Sequence, residues 1–355
     1  MTLQKYIQDK KNLVSSYLET YLKHTVLPQV SPAGKWGNDA VARILTFATR
    51  GKMLRSSLIF LSSQLFTQEQ HTDILLRTST AMEFFHTGLL IHDDIIDNDE
   101  RRRGMDSMHT QYQKILGTDS ITNSKKTGES FAMCVGDMSF FLAFQILAEI
   151  QPSDLSGKLT TLFSQELTAV CTAQMQDVYG GATRKQFSQD EILSVYAFKT
   201  GRYSCGLPLV AGATIAGATD QTKKNLWKLG TSLGILFQIR DDQLNLFGNP
   251  DKIGKPIGSD IRENKQTLYR FFLLEKAQED TKKHLLSLFG NPSLSPKDVA
   301  YVKKHVTDLH IEDDIRDIVH EQEQIVNEVL KHLPIPEDKQ TLFREFVDYL
   351  NKREV

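Results

Sequence analysis

Two clusters of paired carboxylates stand about half a chain apart. The first reads Ile91-His92-Asp93-Asp94-Ile95-Ile96-Asp97, followed by Asn98-Asp99-Glu100 and Arg101-Arg102-Arg103-Gly104; the second reads Phe237-Gln238-Ile239-Arg240-Asp241-Asp242-Gln243-Leu244-Asn245. On a helix Asp93 and Asp97 lie one turn apart on the same face, with Asp94 beside them. Such a face repels itself unless a cation is present. All-oxygen ligands suit a hard divalent ion, and Mg²⁺ uses one or two carboxylates while substrate phosphates and waters complete its shell. A single acidic cluster is ordinarily a solvated helix face. Here there are two, and each emerges from apolar sequence, Leu89-Leu90-Ile91 and Ile235-Leu236-Phe237. A half-buried carboxylate cluster needs a partner ion.

Basic residues complement the acidic ones. Lys52 and Arg55 stand in Gly51-Lys52-Met53-Leu54-Arg55, Arg102 and Arg103 follow the first cluster, Lys199 lies in Phe198-Lys199-Thr200-Gly201, and Lys255 and Lys265 flank Gly258-Ser259-Asp260. Taken singly, each is explained by a solvated surface. Most, however, are bracketed by glycine or apolar residues at an element boundary, where side chains can meet at a site, and Arg and Lys bind phosphate oxygens by fork and by point charge.

The elements that must position these groups read as helices. Apolar residues recur at three- and four-residue intervals over 41–48, 74–91, 131–150, 159–178, 223–239 and 266–283, and strand-like alternation is scarce. The prolines fall mainly at plausible helix ends or loops. The expected architecture is one all-α domain over residues 1–355. Residues 116–129 read as a mobile surface loop, 248–263 as a functional loop after the second cluster, and 282–332 as amphipathic outer helices.

Composition narrows the class. With 355 residues, a net charge of −2 and 40% hydrophobic content, the chain reads as an ordinary soluble globular protein without the basic excess that nucleic-acid binding would call for. Cys134, Cys171 and Cys205 are scattered and show no zinc-like spacing, so they read as reduced core cysteines of a cytosolic protein. Residues 1–11 lack the apolar core of a secretory signal, and no run of 18 apolar residues suggests a membrane span.

The ordered set GKMLR, IHDDIIDNDERRRG, VGD, QMQD, FKTG, FQIRDDQLN and GKPIGSDIRENK, running from about Lys52 to Thr267, resembles the trans-isoprenyl diphosphate synthases of the polyprenyl synthetase family. The resemblance implies antiparallel helices around a deep central cavity, the isoprenoid synthase type I-like architecture. It also implies a homodimer, Mg²⁺ dependence with three ions per active site, and condensation of isopentenyl diphosphate with an allylic diphosphate of C5 to C15. By the same resemblance Asp93, Asp94, Asp97, Asp241 and Asp242 hold the metal, and Arg102, Lys199, Lys255 and Lys265 neutralise the allylic diphosphate. Lys52, Arg55, His86 and Arg103 bind isopentenyl diphosphate, while Gln174 and the Thr200 hydroxyl offer lone pairs to the cation. Without it, His86 reads as a core histidine, Gln174 and Asp177 as a hydrogen-bonded helix pair, and Gly136-Asp137 as a packing contact and cap.

Product length follows from the same comparison, in which the residues four, five and eight before the first aspartate form the floor under the growing chain. Here these are Leu89, Gly88 and Phe85. Gly88 is expected to open space, and Phe85 lies about 4.5 Å further along the helix, on the order of one isoprene unit. Geranylgeranyl diphosphate (C20) is the expected product, with a C25 to C35 product or a non-catalytic subunit of a heteromeric synthase as alternatives. A terpene cyclase would not be expected to carry the second cluster together with GKMLR. Five positions depart from the family pattern: Asn245 replaces a third aspartate, Met53 an arginine, Ser56 a proline, Asp106 a proline and Asn264 a glycine.

Overall fold

Helices form almost everywhere that apolar residues recur with helical spacing in the computed structural model, which describes residues 2–117, 123–248 and 257–351. The chain divides into two compact units, Met1–Leu162 with Pro208–Ala218, and Phe163–Leu207 with Thr219–Val355. The all-α expectation is borne out. Among the described residues the only strands are the two-residue pair Arg101–Arg102 and Met105–Asp106.

In the first unit the helix Thr72–Ile96 carries the first acidic cluster. Its inner positions, including Leu75, Phe84, Phe85 and Ile91, are buried. The helix stops because Asn98 takes a left-handed φ of 54°. Asn98 N–H then donates to Ile95 O at 3.3 Å and Asp99 N–H to Asp94 O at 2.9 Å, the bond pattern of a Schellman cap. Asparagine tolerates this conformation better than a branched side chain would. The neighbouring helix Ser124–Ala148 approaches closely. A Cβ at Gly88 would stand 2.6 Å from Phe140 Cε1 and 2.9 Å from Gly136 O, so only glycine fits. The helix Leu54–Phe66 completes the frame, with Ser62 Oγ donating to Leu209 O at 2.5 Å.

In the second unit the helix Asp220–Phe247, capped by the Thr219 hydroxyl, carries the second cluster and buries Leu229, Leu233, Leu236 and Ile239. Against it runs an 11-residue π-helix, Tyr196–Gly206. The two backbones touch: a Cβ on Gly234 would lie 2.0 Å from Gly201 Cα. A π-turn opens the helix ladder, and such irregularities concentrate at functional sites. The helix Ile311–His332 buries Ile311, Ile315, Ile318, Val326 and Val329 along one stripe, as the amphipathic pattern requires.

Several boundaries differ from expectation. The periodic stretch 266–283 breaks into Leu268–Lys276 and Glu279–Leu288. Of the expected loop 116–129, Leu116 and Gly117 end one helix, and Ser124 begins the next because the Asn123 side chain accepts from Lys126 N–H; 118–122 lie outside the described residues. Of 248–263, residues 249–256 lie outside the description, and Ser259–Arg262 forms one helical turn. Ser124–Ala148 is, by length and composition, apolar enough to cross a membrane. Counting consecutive apolar residues overlooked it because small polar and glycine residues interrupt its apolar run.

Candidate active site

The first acidic cluster is held together by its own following turn. Arg102 and Arg103 belong to a hairpin in which Arg102 pairs with Met105, and Arg103 and Gly104 both take positive φ, 54° and 75°. This is the geometry of a two-residue primed turn, which fits the twist of a hairpin. It returns Arg102 to the helix end, where Nε donates to Asp94 Oδ1 at 2.5 Å and Nη2 reaches Asp93 Oδ2 at 3.3 Å and Asp99 Oδ2 at 3.2 Å. Asp106 anchors the turn through Lys114 at 2.5 Å and Gln111, whose side chain donates to Asp106 O. The position therefore needs no proline.

Asp94 is fully buried, and burial raises its carboxyl pKa to about 7 against the opposing pull of Arg102. Its Oδ2 has no hydrogen-bond partner. An orphaned buried carboxylate oxygen beside Asp93, in an all-oxygen donor set, fits a hard divalent cation. Among the described residues no three His, Cys, Asp or Glu side chains are grouped so as to hold a metal by themselves.

A second cationic group lies in the same unit. Arg55 Nη1 donates to His86 Nε2 at 3.1 Å. Burial first, then Arg55, Arg103 and Arg102, hold His86 well below the usual histidine range, so its ring is neutral and Nε2 accepts. Arg103 donates to Phe47 O at 2.9 Å and lies over the Phe47 ring. The region beside Gly51 is filled by the Arg103 guanidinium, 2.9 Å from where a Cβ would be. Lys52 is exposed next to this group. His86 is thus more than a core histidine: it belongs to an arginine cluster. Gly136 and Asp137 serve His92, whose ring fills the space a Cβ at Gly136 would take and whose Nε2 lies 3.5 Å from Asp137.

The second unit gathers the remaining candidates. Asp177 Oδ2 accepts from Lys199 at 2.6 Å and from Lys265 at 3.0 Å. Burial alone would raise the Asp177 pKa, but the two ammonium groups outweigh it and hold it below the usual carboxylate range. Thr200 Oγ1 donates to Gln238 Oε1 at 2.8 Å, and Gln238 Nε2 donates to Asp242 Oδ1 at 2.9 Å. The Tyr196 hydroxyl donates to Asp242 Oδ2 and accepts from Leu268 N–H at 3.1 Å. Asp242 is 4% exposed, with burial pushing its pKa well above the usual range, while Asp241 beside it is half-buried. Gln174 is half-buried on the helix Ser153–Ala182, one turn before Asp177. Lys255 lies outside the described residues.

Asn245 does different work from the aspartate it replaces. Its Nδ2 donates to Ser259 Oγ at 2.6 Å and its Oδ1 accepts from Asp260 N–H at 3.3 Å, tying the Ser259–Arg262 turn to the acidic helix. Asn264 sits at φ 53°, where the family's glycine would be, and its side chain donates to Gly181 O and Thr183 O. Met53 also takes a left-handed φ, 52°, at the head of Leu54–Phe66. Of the chain-length residues, Phe85 is fully buried, Gly88 is buried and Leu89 half-buried. The expectation that Gly88 opens space is corrected, because Phe140 and Gly136 occupy that volume. Sequence reasoning missed Gln238 and Tyr196 and gave Asp177 only a surface bond. Gln238 precedes Asp242 by one helical turn, a spacing that could have pointed to it.

Comparison with known proteins adds a family. Residues 38–306 match the family described as polyprenyl synthetase. Geranylgeranyl diphosphate synthase of Sulfolobus acidocaldarius is 33% identical over 256 residues, covering 71% of this chain and 72% of the relative. Farnesyl diphosphate synthase of Bacillus subtilis is 27% identical over 312 residues, 84% of this chain and 95% of that one. The crystal structure of geranylgeranyl pyrophosphate synthase from Corynebacterium glutamicum, complexed with isoprenyl diphosphate and magnesium, has a TM-score of 0.89 at 26% identity and covers 99% of this chain and 100% of that one.

Proposed function

This chain belongs to the polyprenyl synthetase family, and on that premise we propose that it is a Mg²⁺-dependent, cytoplasmic, homodimeric synthase of geranylgeranyl diphosphate. It joins isopentenyl diphosphate head to tail with allylic diphosphates of C5 to C15. The observation that carries this reading is the presence of two cationic groups of the kind two diphosphates require: Arg55 and Arg103, with the neutral His86 bonded to Arg55, in one, and Lys199 and Lys265 on Asp177 in the other.

Three bound Mg²⁺ ions, held through Asp93, Asp94, Asp97, Asp241 and Asp242, would supply Lewis-acid stabilisation of the leaving diphosphate. Arg102, Lys199 and Lys265, with Lys255, neutralise the same charge as the allylic C–O bond breaks and its electron pair leaves with the diphosphate. The Thr200 hydroxyl donates to Gln238, so its oxygen keeps lone pairs for the allylic cation, and Gln174 acts likewise. Lys52, Arg55, His86 and Arg103 hold isopentenyl diphosphate while its double bond attacks the cation, forming the new C–C bond. A proton then passes to the released diphosphate and restores a double bond. A homodimer is supported by the Ser124–Ala148 helix, on which Phe141 is 71% exposed and Met133 is also exposed.

Purified protein incubated with Mg²⁺, labelled isopentenyl diphosphate and, separately, C5, C10 and C15 primers is expected to yield C20 product by chromatography. Intact substrates under every condition would overturn the catalytic reading, and a discrete product of C15 or of C25 to C35 would overturn the length. The floor is proposed to include Phe85, which packs edge-on to Phe144 at 5.0 Å between ring centroids, and at 6.4 Å from Phe140. Phe140 is half-buried and fills the volume beside Gly88, so Phe140→Ala is expected to lengthen the main product by about one isoprene unit. Phe85→Ala is expected to lengthen it as well, at a stability cost of about 3–5 kcal/mol for the lost buried ring. An unchanged distribution in both variants would place the floor elsewhere.

A further inference from the structure

The helix Leu54–Phe66 opens immediately after Met53 with no side-chain cap of its own. Its first turn carries Arg55, and Lys52 lies just before it. The first four N–H groups of a helix lack partners within it, and an anion near that end is favoured by the helix dipole. Glu83, on the helix Thr72–Ile96, lies at this end and is 2% exposed. Ser56 Oγ donates to Glu83 Oε1 at 2.6 Å, and the Ser56 backbone N–H donates to the same carboxylate. Burial raises the Glu83 pKa above the usual carboxylate range, with the Ser56 hydroxyl and the charges of Arg103 and Arg55 pulling against it, and His86 follows it by three residues on the same helix.

We propose that Glu83 is a positioning residue for the isopentenyl diphosphate site: by capping the Leu54–Phe66 helix through Ser56, it fixes the turn that presents Lys52 and Arg55. The inference rests on the proposed function and deepens it. Neither Glu83 nor this link was visible as a candidate from sequence. Ser56 stands where the family pattern has proline, which would hold this turn by its ring but has no N–H to give a carboxylate. Here the serine–glutamate link does that work.

The test is steady-state kinetics with both substrates varied, on wild type, Glu83→Gln, Ser56→Ala and the double variant, with thermal unfolding to establish that each is folded. Glu83→Gln exchanges the carboxyl for an amide at almost constant shape, and Ser56→Ala removes only the hydroxyl. Each is expected to raise KM for isopentenyl diphosphate about tenfold while KM for the allylic primer changes less than about twofold. Because both act through one link, the double variant should be no worse than Glu83→Gln alone. Equal losses for both substrates, unchanged KM values, or multiplying effects in the double variant would each overturn the inference. A wild type that turns over nothing would instead remove the functional reading on which it rests.

Discussion

Asp93→Ala is expected to lower kcat/KM by about 10³-fold or more at saturating Mg²⁺, since removing one pre-organised electrostatic contact alone costs about 10²–10³ in rate. Asp94→Ala is expected to lose turnover to at least the same extent and, unlike Asp93→Ala, to weaken the fold. The difference lies in burial. Asp93 is 23% exposed in its side chain and meets Arg102 at 3.3 Å, whereas Asp94 is fully buried and meets it at 2.5 Å. Breaking a buried ion pair outright costs about 3–5 kcal/mol, an upper bound here because Arg102 keeps Asp93 and Asp99; a partly exposed pair contributes about 1 kcal/mol or less. Steady-state turnover alongside thermal unfolding separates the two. Wild-type turnover of Asp93→Ala at saturating Mg²⁺ would sink the metal-ligand assignment, and an unchanged melting temperature for Asp94→Ala would show that Asp93 and Asp99 suffice for Arg102.

Asp177→Asn is expected to reduce kcat/KM for the allylic diphosphate by about 10²-fold, the scale of losing one partner of a desolvated charge pair. Asp177 is 12% exposed in its side chain and holds Lys199 and Lys265 on the same oxygen. Without its charge the two ammonium groups repel each other and leave the geometry that a diphosphate needs. The KM for isopentenyl diphosphate should change little. The pH dependence follows from the direction of the shift. Because Lys199 and Lys265 hold the Asp177 pKa below its ordinary value despite burial, its stabilising contribution is in full force above about pH 4 and is lost as pH falls through the lowered pKa. The stability difference between wild type and Asp177→Asn should therefore be flat from about pH 5 to 8 and shrink only in acid. A difference that grows towards acid, or an unchanged allylic kcat/KM, would refute the role.

Much of this protein is legible one residue at a time. The acidic clusters emerge from apolar helix faces as their flanking sequence indicates, and the helix Asp220–Phe247 covers the periodic stretch 223–239. Exact ends were harder to read, because local caps decide them: Asn98 and Asn123 act through a left-handed φ and a side-chain acceptor, which periodicity does not register. The family departures also took their meaning from backbone geometry. Asn264 satisfies a left-handed position, and Asn245 ties a turn, which its spacing within an acidic motif could not reveal.

The sequence by itself determined the helical class, the family and the identity of the groups able to handle diphosphate, because these follow from residue type and from spacing along one chain. Only the tertiary structure decided which groups share a partner. That Arg102 lies on Asp94, that Lys199 and Lys265 meet on Asp177, and that Glu83 caps the helix bearing Arg55 are contacts between segments 8 to 88 residues apart. It likewise decided that Gly88 admits a phenylalanine ring instead of leaving a space. Spacing reports the face on which a side chain lies; its charge state and neighbours depend on burial and on what packs against that face, and these exist only once the chain has folded.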